Sequence, residues 1–467
     1  MLSFLGRGVR LCDGINRREM LRVGGLAFTG LTWADWLRSR AFGKTAARKK
    51  SAAGSFGKEK ACILIFNYGG PSHLDIWDLK PDAPKEIRGD FKPAATNVPG
   101  IAITEHLPRL ARLANRYAIV RSVTHRDNDH AIGAYLSLTG HSHPKNAILG
   151  IEPPATPQDL PSMGSVVGKL RPPEKPVFAY VTLGDLRHFG NNDSLGQNGG
   201  CLGKAYDPFT VSFVRPINGS LDIGGVSSLM TSVDSGRLDE RRMLLERMDR
   251  AAPALQATAS MRNLDDCGRK ACELLSSPAT RDAFDLSKEP LRVRDFYGPT
   301  PFAANCLLAR RLVEAGIPMI TLYSVGNRDW DTHGNNFASL KNTLLPPMDQ
   351  GMSALLEDLA SRGLLDETLV VWMGDMGRTP RINGSAGRDH WSFCYSVVLA
   401  GGGVRGGQVY GSSDRSAAYP STNPVSPADI AATIYHCLGI EPDTQTTDQQ
   451  GRPLVLSAGK PLHALLG

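Results

Sequence analysis

The sequence predicts an α/β protein with a mostly parallel central sheet flanked by helices and carrying a helical insertion. Three observations support this. Short continuous apolar runs alternate along the chain with longer amphipathic stretches. Acidic and histidine side chains gather where those runs end, which is where open α/β sheets place their sites. The chain is long enough, at 467 residues and 41% hydrophobic content, to bury a sizeable core.

In chain order, Ala61–Tyr68 (ACILIFNY) reads as a buried strand stopped by Gly69, Gly70 and Pro71. Residues 107–116 read as a helix and 117–123 as a second strand. A helix over 131–138 ends at Gly140, and 177–183 is a third strand. Residues 185–225 are Gly/Asn-rich and read as a long functional loop. Residues 238–275 are charged, Leu/Met-rich and helical, within an insertion of about 215–300. Then come a helix over 305–315, a strand over 318–324, a helix over 348–362, strands over 368–373 and 396–399, and a helix over 427–438. No internal repeat is visible.

Charge is unevenly placed. Residues 1–60 hold 13 of the 53 Lys/Arg and 4 of the 46 Asp/Glu, so most of the formal +7 lies there. The remaining chain is near neutral, which gives no support to a nucleic-acid partner. Eight cysteines with no CxxC pair predict neither a disulfide framework nor a cysteine zinc site. No run is long enough to span a membrane. Asn16–Arg22 (NRREMLR), with Arg17 and Arg18 paired ahead of a weakly apolar stretch and a basic tail, resembles a twin-arginine export signal. The expected organisation is a signal over 1–43, able to stay as an N-terminal anchor, a basic linker over 44–60, and a catalytic-type domain over 61–467. The expected location is periplasmic or extracellular.

The chemistry lies at strand ends. His73, Asp75 and Asp78 follow the first strand, and His125, Asp127, Asp129 and His130 the second. Asp329, Asp331 and His333 follow the 318–324 strand, and Asp375 follows the 368–373 strand. Arg388, Asp389 and His390 precede the last strand. Mixed Asp and His donors suit zinc, or calcium or manganese where carboxylates dominate. Such an ion acidifies water or clamps an oxyanion. Asp75 and Asp78 also suit helix capping, Asp127 or Asp129 an N-cap, and His73 a structural role. Asp329 and His333 share a face if their segment is helical, Asp331 and His333 if it is extended.

These residues carry a resemblance. Gly69–Asp78 (GGPSHLDIWD), Trp330–His333 and Gly374–Pro380 (GDMGRTP) are similar to the DUF1501 family, an uncharacterised branch of the alkaline phosphatase and sulfatase superfamily. Leu364–Gly377 (LLDETLVVWMGDMG), Ser426–Ile440 (SPADIAATIYHCLGI) and Gly451–Leu454 resemble that superfamily's late segments. The resemblance implies an alkaline phosphatase-like fold. It also implies two ion positions, with Asp329, His333 and His390 at one, and Asp375 with Asp75 or Asp78 at the other. It departs at the nucleophile, where His130 stands nine residues before Thr139-Gly140 in place of Cys or Ser, which disfavours a formylglycine mechanism. Met376 also stands where the superfamily has His or Asn.

His130 has three open roles: metal ligand, nucleophile, or general acid/base. As ligand it leaves the attack to metal-activated water, with His125 or Asp129 as candidate base. Arg378 and Arg388 are the candidate oxyanion clamps. The expectation is an exported metal-dependent hydrolase of sulfate or phosphate esters, on a small molecule or a polysaccharide. The competing expectation is a non-catalytic anion- or glycan-binding protein on the same scaffold.

Overall fold

The computed structural model describes residues 59–144, 155–184, 195–211, 213–217, 220–224, 277–324 and 329–467, with Phe56, Gly57 and Met243. The expected export signal, most of the expected linker and, apart from Met243, the expected helical stretch at 238–275 lie outside the described residues.

Eight strands form the central sheet: β1 (Ala61–Asn67), β2 (Tyr117–Val123), β3 (Tyr180–Leu183), β4 (Phe209–Val211), β5 (Met319–Tyr323), β6 (Thr368–Gly374), β7 (Tyr395–Ala400) and β8 (Gln408–Tyr410). Their order is β8-β2-β7-β6-β1-β5-β3-β4. Every neighbouring pair is parallel except the two that β7 makes, so β7 alone runs against the rest. The mostly parallel sheet flanked by helices is as expected.

The run ACILIFN is continuous rather than alternating because both faces of β1 are covered. Ile63 and Ile65 enter one apolar cluster, while Cys62, Leu64 and Phe66 enter the other. Helices α1 (His130–Thr139), α2 (Met163–Leu170) and α5 (Pro427–Cys437) cover the second cluster. Helices α3 (Pro301–Ala315) and α4 (Leu345–Ser361) cover the first. Asp129 caps α1 by accepting from Ala131 N and Ile132 N, and Gly140, at φ 76°, closes it. Cys62, Cys201, Cys306, Cys394 and Cys437 are buried free thiols.

Two expectations differ locally. The helix over 107–116 divides into a short helix, Pro108–Ala111, and a 3₁₀ turn, Ala114–Arg116. The loop over 185–225 contains β4 at the sheet edge and a hairpin of Phe213–Ile217 with Ser220–Gly224. Segments of three to five residues, interrupted by Thr, Arg, Pro or Asp, are too short to show a strand pattern in the sequence.

Strand direction positions the site. The C-terminal ends of β1, β2, β5 and β6 share one sheet edge, and reversed β7 brings its N-terminal end to that same edge. Close contact there limits side chains. A Cβ at Gly133 of α1 would stand 2.8 Å from the Asp375 carbonyl oxygen. Gly→Ala inside a helix ordinarily stabilises. Here Gly133→Ala should destabilise by about 1–3 kcal/mol, as overpacking does. Urea unfolding of the variant checks this.

Candidate metal centre

Asp375 leaves β6 fully buried. Its Oδ1 accepts from the backbone N–H groups of Gly69 and Gly70, both at 2.9 Å. Its Oδ2 lies 2.5 Å from Nδ1 of His130, the first residue of α1. Gly70 has φ 72°, and a Cβ there would come within 3.0 Å of Met376 Cγ, so the turn after β1 needs glycine. Burial pushes the Asp375 carboxyl up, but His130 and the Gly69 N–H outweigh it and hold it below its ordinary value.

The other face of His130 points to Asp331, whose Oδ1 is a meeting point. It lies 3.1 Å from His130 Nε2, 3.0 Å from His333 Nε2, 3.4 Å from His390 Nε2 and 2.5 Å from Arg378 Nη2. Burial pulls the His130 imidazole down, yet Asp375 and Asp331 raise it to about 9. Burial also opposes ionisation of Asp331, but His130, His390 and Arg378 hold its carboxyl far below the usual range.

Every imidazole in the cluster is held from behind. His130 Nδ1 faces Asp375, His333 Nδ1 lies 2.7 Å from Asp389 Oδ1, and His390 Nδ1 lies 3.2 Å from the Asn128 carbonyl oxygen. An oxygen on one ring nitrogen fixes the ring's orientation and turns the other inward, as behind metal-bound histidines. His390 rides a two-residue ribbon, paired with Arg378.

Three features fit a cation. The ligand atoms of His130, Asp331 and His390 lie within 4.8 Å of one another. His130 Nε2 and His390 Nε2 are buried and face only Asp331 Oδ1, at 3.1 and 3.4 Å, without a well-aligned hydrogen bond. Asp331 and Asp375 flank His130 and raise its affinity for a proton, and a cation on Nε2 would take that proton's place. Two imidazoles and a carboxylate, with a third imidazole at the rim, match the donor types and number of a catalytic zinc site. His333 is that rim group, with its side chain 46% exposed.

Several expected residues are engaged elsewhere. Asp75 is fully buried in a bidentate pair with Arg388, at 2.8 and 2.9 Å, and also accepts from Asn336 Nδ2 and Ser72 Oγ. Its oxygens are saturated, so it does not join the cluster. Arg388 is fully buried and also donates to the carbonyls of Ile87, Thr379 and Pro380, which removes it as an oxyanion clamp. Arg378 is equally buried. It donates to the carbonyls of Gly69, Gly70, Trp330 and Arg388 as well as to Asp331, so it latches loops together rather than facing a ligand. Asp78 pairs with Lys80 and Arg121 and accepts from Ser413.

Asp329 is exposed, and Asp331 is the acid that meets His333. Asp375 backs His130 instead of standing at a second ion position. His125 uses both ring nitrogens, toward the Asp375 carbonyl and the Asp127 N–H, and Asp129 is the N-cap, so neither is free as a base. Asn128 was not foreseen, because it acts through its backbone carbonyl, which no side-chain pattern reveals.

A family model described as "Protein of unknown function (DUF1501)" matches residues 59–466. No curated protein matches the sequence. Solved structures align with most of the chain. One is Ps i-CgsB in complex with k-i-k-neocarrahexaose, 13% identical over 82% of this chain and 72% of that one, with a TM-score of 0.39. Another is the phosphonate monoester hydrolase SpPMH from Silicibacter pomeroyi, 12% identical over 87% and 76%, at 0.36. A third is a protein in the alkaline phosphatase superfamily from Vibrio parahaemolyticus, 9% identical over 89% and 73%, at 0.40.

Two outcomes follow from the geometry. Asp375→Asn should weaken the cluster's affinity for an added divalent ion by about 10- to 100-fold, as loss of an imidazole's supporting carboxylate does, measured by competition with a chromophoric chelator. Arg388→Ala strands Asp75 as a buried charge and should cost about 3–5 kcal/mol of stability in urea unfolding.

Proposed function

The chain belongs to the DUF1501 family, and from that footing we propose that it is an exported metal-dependent hydrolase of sulfate or phosphate esters, with water as the nucleophile. The observation that carries this reading is the convergence of His130, His333 and His390 on one carboxylate oxygen of Asp331. A divalent ion held by His130, Asp331 and His390 would acidify water and draw charge from the ester's oxygens.

The chain's own residues supply the rest. Asp375 holds His130 with Nε2 inward, the orientation in which that imidazole would serve as a ligand to the ion. Asn128 does the same for His390. At the exposed rim, His333 is backed by Asp389 and is placed to move a proton to a departing alcohol. Arg378 and Arg388 face protein acceptors, so an ion held by His130, Asp331 and His390 would supply the stabilisation of developing negative charge that these guanidiniums do not. The Arg17-Arg18 leader supports export after folding, with the ion loaded beforehand.

One observation favours the second reading, a non-catalytic anion- or glycan-binding protein: His130 stands where the superfamily resemblance calls for a Cys or Ser nucleophile. Turnover separates the two. Purified protein should carry one zinc-class ion per chain by elemental analysis. It should hydrolyse 4-nitrophenyl sulfate or 4-nitrophenyl phosphate, lose that activity in EDTA and regain it with zinc. Asp331→Ala should lower kcat by about a thousandfold or more, since several kcal/mol of charge stabilisation go with the ion. Ion binding without turnover of either ester selects the second reading. Replacing Arg17 and Arg18 by Lys should leave the protein in the cytoplasm, read by cell fractionation.

A further inference from the structure

Beside the cluster lies an aromatic patch that the reaction does not use. Trp391 follows His390 directly. Its ring centroid is 5.0 Å from that of Phe393 and 5.5 Å from that of Tyr419, and Phe393 and Tyr419 are 5.9 Å apart. Tyr419 is 51% exposed. Trp391 and Phe393 are half-buried, so each of the three rings keeps part of its surface toward water, as amphipathic aromatics do at ligand surfaces.

The loop presenting Tyr419 is fastened firmly. Trp391 Nε1 donates to the Ala418 carbonyl at 2.6 Å, and buried His73 contacts the Ala417 carbonyl at 2.9 Å. Asp414 accepts from the backbone N–H groups of Ser416 and Ala418, and Ser413 from the same loop donates to Asp78. Ala417 is held at φ 56°, a left-handed conformation that alanine disfavours. Non-glycine residues with positive φ occur at four described positions. Asn335 and Ala386 lie in the hydrogen-bonded loops beside His333, and Ala417 and Asn423 lie in and just after the aromatic loop. Strain held by so many contacts is characteristic of preorganised sites. Arg415, exposed in the same loop, adds positive charge.

Resting on the hydrolase reading above, we infer that Trp391, Phe393 and Tyr419 form a saccharide subsite for a polysaccharide bearing sulfate or phosphate esters. A pyranose ring has an apolar C–H face that stacks on aromatic rings and a hydroxylated edge that remains in water. Arg415 suits a neighbouring ester anion. Alternate residues of a strand face opposite ways, so the Trp391 indole lies across the ribbon from the His390 imidazole. A sugar on the patch is therefore a different unit from one whose ester reaches Asp331, so this subsite calls for a chain rather than a monosaccharide.

The test is electrophoresis of the full protein through native gels containing dextran sulfate, fucoidan, a carrageenan, chondroitin sulfate or phosphomannan, with unmodified dextran as control. At least one anionic polymer should retard the wild type more than dextran does. Tyr419→Ala keeps the protein's charge and should weaken that retardation by about fivefold or more in apparent affinity. Arg415→Ala should weaken it further at low salt. EDTA-treated protein should still be retarded, because the subsite does not use the ion. Unchanged retardation in Tyr419→Ala, with its zinc content intact, overturns the subsite, as does no retardation by any anionic polymer. Turnover of the aryl esters with no polymer binding leaves the hydrolase standing and removes only the subsite. Polymer binding lost in Tyr419→Ala, with no turnover by the wild type, does the reverse.

Discussion

The arrangement depends on the carboxylate of Asp375. Three donors from two separate parts of the fold meet on it: the N–H groups of Gly69 and Gly70 after β1, and Nδ1 of His130 at the start of α1. A fully buried carboxylate is tolerated only when its lone pairs are so occupied. By holding these groups, Asp375 fixes where the loop after β1 turns, how closely α1 approaches β6, and which nitrogen of His130 faces the cluster. The missing side chains at Gly70 and Gly133 belong to the same constraint, since each lets backbone approach where a Cβ would not fit.

Around that anchor, charge is divided between two tasks. The Asp75–Arg388 pair is closed off from solvent and ties the short helix His73–Ile76 to the segment that carries Asp389 and His390. Arg378 bridges carbonyls from the loop after β1 and from Trp330, and turns one nitrogen to Asp331. Both guanidiniums therefore act in positioning. What remains turned toward the centre is a set of imidazoles and one carboxylate. This is a poor environment for a bare anion and a good one for a cation. The family resemblance implied two ion positions. The carboxylates that would build the second, Asp75 and Asp375, are taken by Arg388 and by His130 with the glycine amides.

The aromatic loop extends this organisation outward. It is fixed by hydrogen bonds to His73, Asp78 and Trp391, side chains adjoining the latch, so the patch and the centre share a rigid support. Rigid support lowers the ordering cost of seating a ligand.

The sequence by itself determined the α/β class and most sheet strands, because ACILIFN and TLVVWMG are continuous apolar runs too short for a helix and ended by glycine turns, as buried strands are. It also determined that acids and histidines gather at strand ends, since a residue's distance from an apolar run is written in one dimension. It did not determine which acid meets which histidine. Asp329 and Asp331 differ by two positions and have the same chemistry, yet only Asp331 meets the imidazoles. Asp75 and Arg388 are 313 residues apart and become partners only when β1 and the segment before β7 are brought to one edge. The support from Asn128 comes from a backbone carbonyl, which every residue carries. The tertiary structure decided these roles because a buried polar atom must be satisfied by whatever stands within about 3 Å, and that neighbour is set by strand order and direction rather than by spacing along the chain.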